Sequence, residues 1–374
     1  MRTNVNSQLV RHLYVHVPFC PTICPFCSFH VLERRGPDVE AYLTRLDEEL
    51  AELADHYDVR PDTVYVGGGT PSHLRPSELE RLHRIVERRV GWAAIEATLE
   101  VHPSTASARR IADWSSLGFT RLSVGAQSFD DAVLRTLGRP HDGDAGRRTV
   151  EWCLATGAVT SVDIMTAIDG QDLGSDLSLA VALGADHVSA YTLTIEPDTP
   201  FEAIGVVVPD ERAASALRTA CDVLGAAGLE RYEVSNHARP GKRCVHNQAY
   251  WMGAWFAGVG PSASSMLPDP DVPGGGAVRS TNAETPGWLA GESADCGRLD
   301  GDDLLGDALL CGLRMVEGVD LDRLAVRIGL DARIVRREAI SQLIGDGLVE
   351  LDGPRLRATE VGMMVLDRVA AELL

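Results

Sequence analysis

Lysine is all but missing: Lys242 stands alone in 374 residues, and every other fixed positive charge is an arginine. That bias reflects the composition of the coding genome and carries no catalytic weight. Positive charge as a whole is scarce. Against 35 Lys+Arg stand 54 Asp+Glu, a net −19, which disfavours nucleic acid or an anionic membrane as main partner. Long apolar runs are also missing. The N-terminal MRTNVNSQLVRH has no apolar core of signal-peptide length, and no run approaches the ~20 residues that cross a bilayer. The expectation is a cytoplasmic chain. In that reducing compartment its 8 cysteines are not a disulfide framework but metal ligands, catalysts or small buried residues. What is present is ordinary: 45 % hydrophobic and 24 % charged residues suit a globular chain with a real core.

Short β-rich runs alternate with amphipathic helical ones. Strands are expected at 12–17, 63–68, 97–102, 120–125, 161–166 and 187–193. Helices are expected near 38–56, 77–90, 105–117, 130–137, 144–156 and 172–183. Strict alternation predicts an α/β fold with a parallel sheet under helices, and six such units make a full or partial barrel. Function then belongs at the C-terminal strand ends. The special residues fall there: a cysteine run after strand one, Gly67-Gly68-Gly69-Thr70-Pro71 after strand two, and Glu100 ending strand three. Gln127 follows strand four, and Asp163 sits late in strand five. The Pro/Gly-rich 267–287 predicts an irregular connector. Helices at 302–315, 320–328 and 331–344, a two-stranded wing in LVELDGPRLRA and a helix at 360–373 follow in winged-helix order. This segment holds 9 Arg against 14 Asp/Glu, the wrong balance for DNA; covering an active site or contacting protein suits it better. The expected units are 1–250, 251–300 (connector and substrate side) and 301–374.

The stretch YVHVPFCPTICPFCSFH sets Cys20, Cys24 and Cys27 in a C-x3-C-x2-C run. Thiolate is the soft ligand of iron–sulfur clusters, and three of them hold three irons of a [4Fe–4S] cube. One iron is left open to chelate a small molecule. The alternative is structural zinc, which wants four closed protein ligands. No second CxxC pair exists, and His16 and His30 are the only local substitutes. The other five cysteines (Cys153, Cys221, Cys244, Cys296 and Cys311) are scattered and read as packing residues.

With GGGTP one strand further on, this loop resembles the radical S-adenosylmethionine (SAM) superfamily. YVHVPFC, GGGTPS, RLSVGAQSF, LGRPHD, YTLTIEPDTPF, YEVSNHARPG and HNQAYW narrow the resemblance to the branch of oxygen-independent coproporphyrinogen III oxidase and HemW-type heme chaperones. The resemblance implies a partial (β/α)6 radical SAM barrel with a HemN-like, winged-helix-type C-terminal domain. It implies a [4Fe–4S] cluster on Cys20, Cys24 and Cys27 and SAM cleaved to a 5′-deoxyadenosyl radical. Tyr14, Gly68 and Glu100 would contact the cluster-bound SAM. Phe26, Gly69, Thr70, Gln127, Arg139, Asp163 and Ala190 would surround a second SAM. Glycines admit close backbone approach, and Arg139 suits a carboxylate.

Three departures from a housekeeping heme chaperone stand out: Ser28 after the third cysteine, TAIDGQ at 166–171, and PSASS at 261–265. All lie where the family places SAM or substrate. They lead to the expectation of a class C radical SAM methyltransferase, methylating an sp2 carbon such as a thiazole in a peptide natural product. A flavodoxin or ferredoxin would supply electrons, and His30 or Glu233 would act as base. Two alternatives stay open: a related cyclopropanase, and a heme chaperone, for which HNQAYW resembles a candidate heme-contact motif. The oxidase itself is disfavoured, because the cysteines read PFCSF where it has a cysteine-glycine-cysteine pattern.

Overall fold

The alternation in HLYVHV becomes the organising feature of the molecule. In a computed structural model, which describes residues 9–269, 271–272 and 276–374, this run belongs to strand β1, Leu9–Val17. Leu13, Val15 and Val17 are fully buried in the core under the helices. His12, Tyr14 and His16 project from the opposite face, as a period of two requires, into the space the sheet encloses. β2 (Asp58–Gly68), β3 (Glu96–Val101), β4 (Arg121–Gln127), β5 (Val159–Thr166) and β6 (His187–Thr192) follow. Each pairs in parallel with the one before.

The crossovers are α1 (Gly36–His56), α2 (Pro76–Val90), α3 (Ala108–Ser116), α4 (Gly143–Leu154) and α5 (Leu173–Leu183), with α6 (Asp210–Ala226) after β6. Their starts are written locally. Ser107, Asp142 and Asp172 accept from the backbone N–H of Arg110, Ala145 and Ser175, satisfying donors that a helix N-terminus leaves free. All six expected strands and all six expected helices form, the one near 130–137 as the short helix Asp131–Thr136. Helix α6 was not foreseen.

The sheet does not stop at β1. Strand β7 (Phe256–Val259) lies parallel on its far side, and β8 (Ser264–Asp269), β9 (Gly276–Thr281) and β10 (Asp295–Leu299) continue antiparallel. The connector expected to be irregular over 267–287 therefore carries strand at 267–269 and 276–281. Pro268 sits in register opposite Ala277, and Gly276 opposite Asp269. Residues 270 and 273–275, and the leader-free reading of residues 1–8, lie outside the described residues. The return between β7 and β8 depends on Gly258, since a Cβ there would fall 2.1 Å from the Ser264 carbonyl oxygen.

Beyond β10 come α7 (Gly301–Gly312), α8 (Leu321–Ile328), α9 (Arg337–Gly345), the hairpin Val349–Asp352/Arg355–Ala358, and α10 (Leu366–Leu373). Val319–Asp320 adds a third strand to the wing. The helix expected at 331–344 is interrupted at Arg336, and that at 360–373 at Val365, where the backbone leaves helical geometry. This unit has its own core, Leu305, Leu309, Leu321, Leu343, Leu356 and Val369 among it, joined by Met266 and Ala277 from the added strands. Among the described residues no helix is long and apolar enough to cross a membrane.

Candidate functional site

Backbone hydrogen bonds clamp the cysteine loop at both ends. Leu32 N–H donates to the Pro18 carbonyl at 2.7 Å, Thr70 N–H to Phe19 and Gly69 N–H to Val17, both at 2.9 Å. Phe19–Cys20 also pairs with Leu32–Glu33. The loop therefore leaves β1 pinned against the glycine turn after β2. Cys20 Sγ lies 3.3 Å from Thr70 Oγ1. Cys27 N–H donates to the Cys24 carbonyl at 3.1 Å, closing a turn between the two cysteines. Burial pushes the Cys20 thiol up to about 11 and raises that of Cys27. Arg139 donates from Nη1 to Cys24 Sγ across 3.2 Å and from Nη2 to the Gly125 carbonyl at 3.0 Å.

All three thiols line one cavity of about 430 Å³ at the C-terminal mouth of the barrel. Phe26, Gly68, Gly69, Thr70, Glu100, Gln127, Arg139 and Asp163 line it too, so eleven of the thirteen residues expected at the site converge. Glu100 is held from two sides. Its Oε1 accepts from the Tyr65 hydroxyl at 2.9 Å and its Oε2 from Gly68 N–H at 3.0 Å. Enclosure in the barrel pushes its carboxyl up to about 7, and that of Asp163 to about 6. Ser123 Oγ donates to both Asp163 oxygens, at 3.1 and 3.2 Å.

The site fits the group its chemistry implies. Three soft donors share a cavity, and one already accepts a charged hydrogen bond as an iron-bound thiolate does. Arg139 Nε is buried without a partner, a donor free for a carboxylate. Gly68 adopts φ +109°, and a Cβ there would meet the His16 ring at 2.7 Å.

Two expected residues stand apart. Tyr14 lines the neighbouring cavities, with its hydroxyl 3.1 Å from His16 Nδ1. Ala190 points into the helix-side core, and its N–H is spent on the Ser235 carbonyl at 2.8 Å. Of the two candidate bases, His30 lines the third cavity, where Nε2 accepts from Thr285 N–H at 3.2 Å. Glu233 is buried elsewhere, accepting from Ser235 N–H. Tyr65, Ser123 and Tyr191 also line the thiol cavity and were missed. Their alternation with apolar neighbours along β2, β4 and β6 is the signal that would have found them.

Below the mouth, a cavity of about 160 Å³ is closed by the HNQAYW helix, Val245–Trp251. His246 is 1 % exposed, and both ring nitrogens are occupied, by Thr63 Oγ1 at 2.6 Å and the Tyr250 hydroxyl at 2.7 Å. The motif thus divides: its histidine braces the barrel, while Tyr250 and Trp251 line a third cavity of about 720 Å³. That cavity adjoins the first at Ser28, Phe29, Gly68 and Glu100. Of the three departures, Ser28 lines both cavities and Ser262 the third, whereas Ile168 packs into a small side cluster with Leu193 and Phe201.

Residues 14–176 match the radical SAM superfamily and residues 299–365 the HemN C-terminal domain. The chain is 31 % identical to the heme chaperone HemW of Escherichia coli, covering 95 % of this chain and 96 % of that one. It is 32 % identical to the heme chaperone HemW of Mycobacterium tuberculosis, over 97 % and 94 %. The mitochondrial radical S-adenosyl methionine domain-containing protein 1 of Danio rerio is 33 % identical, over 97 % and 86 %. The solved structure of coproporphyrinogen III oxidase (HemN) from Escherichia coli superposes with a TM-score of 0.83, at 20 % identity, over 100 % of this chain and 91 % of that one. That likeness carries the fold. These findings overturn the methyltransferase expectation, and the natural-product substrate falls with it. Three local departures were weighed too heavily against similarity that runs the length of the chain.

Proposed function

Because the chain belongs to the radical SAM superfamily, in the HemN/HemW-like branch, we propose that it is a heme chaperone, binding heme and passing it to an acceptor protein. The observation carrying this reading is the near full-length similarity to proteins named heme chaperone. A large cavity opening beside the thiol site supports it.

The reading keeps the cluster. Cys20, Cys24 and Cys27 would hold [4Fe–4S], which supplies an electron and one open iron to SAM. Glu100, held by Gly68 N–H, would position the amino-acid end, and Arg139 Nε would meet its carboxylate. Phe26, Gln127 and Asp163, expected around a second SAM, line the same cavity and are taken here as walls of one SAM-and-cluster site. A flavodoxin or ferredoxin is the proposed class of reductant. Apolar β1, β2 and β3 residues behind the site keep it rigid, and the loop clamps keep the thiols in place when the cavity fills.

Anaerobically reconstituted protein titrated with hemin tests this. Saturable binding at one heme per chain, followed by transfer to an apo-heme protein, is expected. Failure of wild-type protein to bind heme at all would sink the reading.

A further inference from the structure

The 720 Å³ cavity lies between the barrel mouth, the added strands β7–β9 and helix α7. Its volume is within the range that encloses a ligand of roughly 300–1,000 Å³, and its walls differ in kind from those of the thiol cavity. Aromatic surface comes from Phe29, Tyr250, Trp251 and Phe256. Phe29 is 67 % exposed, a large apolar face that nothing in the chain covers among the described residues. Two sulfur-bearing side chains line it: Met266 from β8 and Cys311 from α7. At the rim Arg279 pairs with Asp307 while remaining half exposed.

The histidine rings and tyrosine hydroxyls of this cavity are already engaged. His16 gives Nε2–H to the His30 carbonyl at 3.1 Å and takes the Tyr14 hydroxyl on Nδ1. His30 accepts a backbone N–H on Nε2, and its Nδ1 stands 3.6 Å from Glu284. Tyr250 is bonded to His246. The Cys311 thiol makes no hydrogen bond among the described residues. The soft sulfur pair is what remains for a metal in a planar aromatic ligand.

We propose that this cavity is the heme seat, with Cys311 and Met266 as the iron's sulfur donors and Arg279 meeting a propionate. The proposal rests on the chaperone reading and gives it a place. Thiolate is an established axial ligand of heme iron. Burial keeps Cys311 a thiol in the empty protein, pushed up to about 11. On loading, an iron–sulfur bond replaces the S–H bond and the proton leaves to solvent. No redox change is needed. The seat shares Ser28, Phe29, Gly68 and Glu100 with the thiol cavity, while Cys20, Cys24 and Cys27 line only the thiol cavity, so cargo and cluster are neighbours without sharing metal ligands.

Hemin titration of cluster-loaded protein, read by the Soret band and by electron paramagnetic resonance, tests the seat. Wild type should show a thiolate-ligated ferric signature. Cys311→Ser should lose that signature and weaken binding at least tenfold. Ala254→Trp, which fills the cavity, should abolish binding while iron content stays at the wild-type level. Cys24→Ala should lose the cluster and keep heme. An unchanged spectrum in Cys311→Ser, or heme lost together with the cluster in Cys24→Ala, overturns the site while leaving the chaperone reading standing. Absence of heme binding by wild type overturns both.

Discussion

Arg139, from the segment after β4, reaches across the barrel mouth to donate to the Cys24 sulfur at 3.2 Å while its Nε stays buried and unpartnered. One guanidinium thereby faces a thiol and the space beside it. This links the cysteine loop to the far wall of the site, 115 positions along the chain.

Separating those two roles is straightforward. Cys24→Ala removes one of three thiol corners, so iron content and the brown chromophore of reconstituted protein should fall to background. Arg139→Ala leaves the thiols, so the chromophore should form while SAM affinity drops about tenfold or more, the loss expected for a hydrogen bond to a charged group. Equilibrium dialysis with labelled SAM reads the second effect. Wild-type affinity in Arg139→Ala would remove it from the site.

Glu100 gives a pH-dependent test. Its carboxyl, pushed up to about 7, gains charge as pH rises through neutrality, and the charged form attracts the cationic amino group and sulfonium of SAM. Wild-type SAM affinity should therefore rise between pH 6 and 8 (roughly the span over which such a group ionises). Glu100→Gln should be weaker and level across that range, because an amide does not titrate there and offers one oxygen where Tyr65 and Gly68 each donate to a separate carboxylate oxygen. A parallel rise in Glu100→Gln would assign the pH effect elsewhere.

Much of this was legible beforehand, for reasons that individual residues make plain. In HLYVHV the polar residues mark the lumen and the valines the helix face, so β1 could be read without ambiguity. The thiol spacing is equally local. Strands β8 and β9 were hidden because Pro268 and Gly276 carry loop composition into paired strands. Helix α6 was hidden because DERAASALRTACDVLGA, rich in alanine, offers little apolar contrast. The division of HNQAYW could not be read at all: only closure of the barrel brings His246 against Thr63, 183 positions away. Function was misread where Ser28, 166–171 and 261–265 were given more weight than the rest of the chain.

Gly68 tests the glycine turn itself. At φ +109° with His16 at 2.7 Å from a built Cβ, alanine must either strain its backbone or displace a ring fixed by two hydrogen bonds. Strain of this kind costs about 1–3 kcal/mol. Gly68→Ala should lower the melting temperature and weaken SAM binding together. A variant that melts as wild type and binds SAM normally would show that the turn tolerates a side chain.

His246 tests whether the barrel's closure is stabilising rather than chemical. Burial holds its imidazole down to about 3, against about 6.5 in an unfolded chain. A histidine depressed in this way favours the fold fully above the unfolded value and loses that contribution as pH falls below it. At pH 5 the loss amounts to roughly 2 kcal/mol. His16, His141 and His237, each lowered to about 4 by burial, act in the same direction, so wild type should lose stability on acidification from neutral pH. His246→Gln should start less stable, having lost bonds to Thr63 and Tyr250, yet fall less steeply between pH 7.5 and 5. Denaturant melts at the two pH values measure the difference. If the two proteins lose stability in parallel, the proton is taken up elsewhere and His246 is not the acid-sensitive brace.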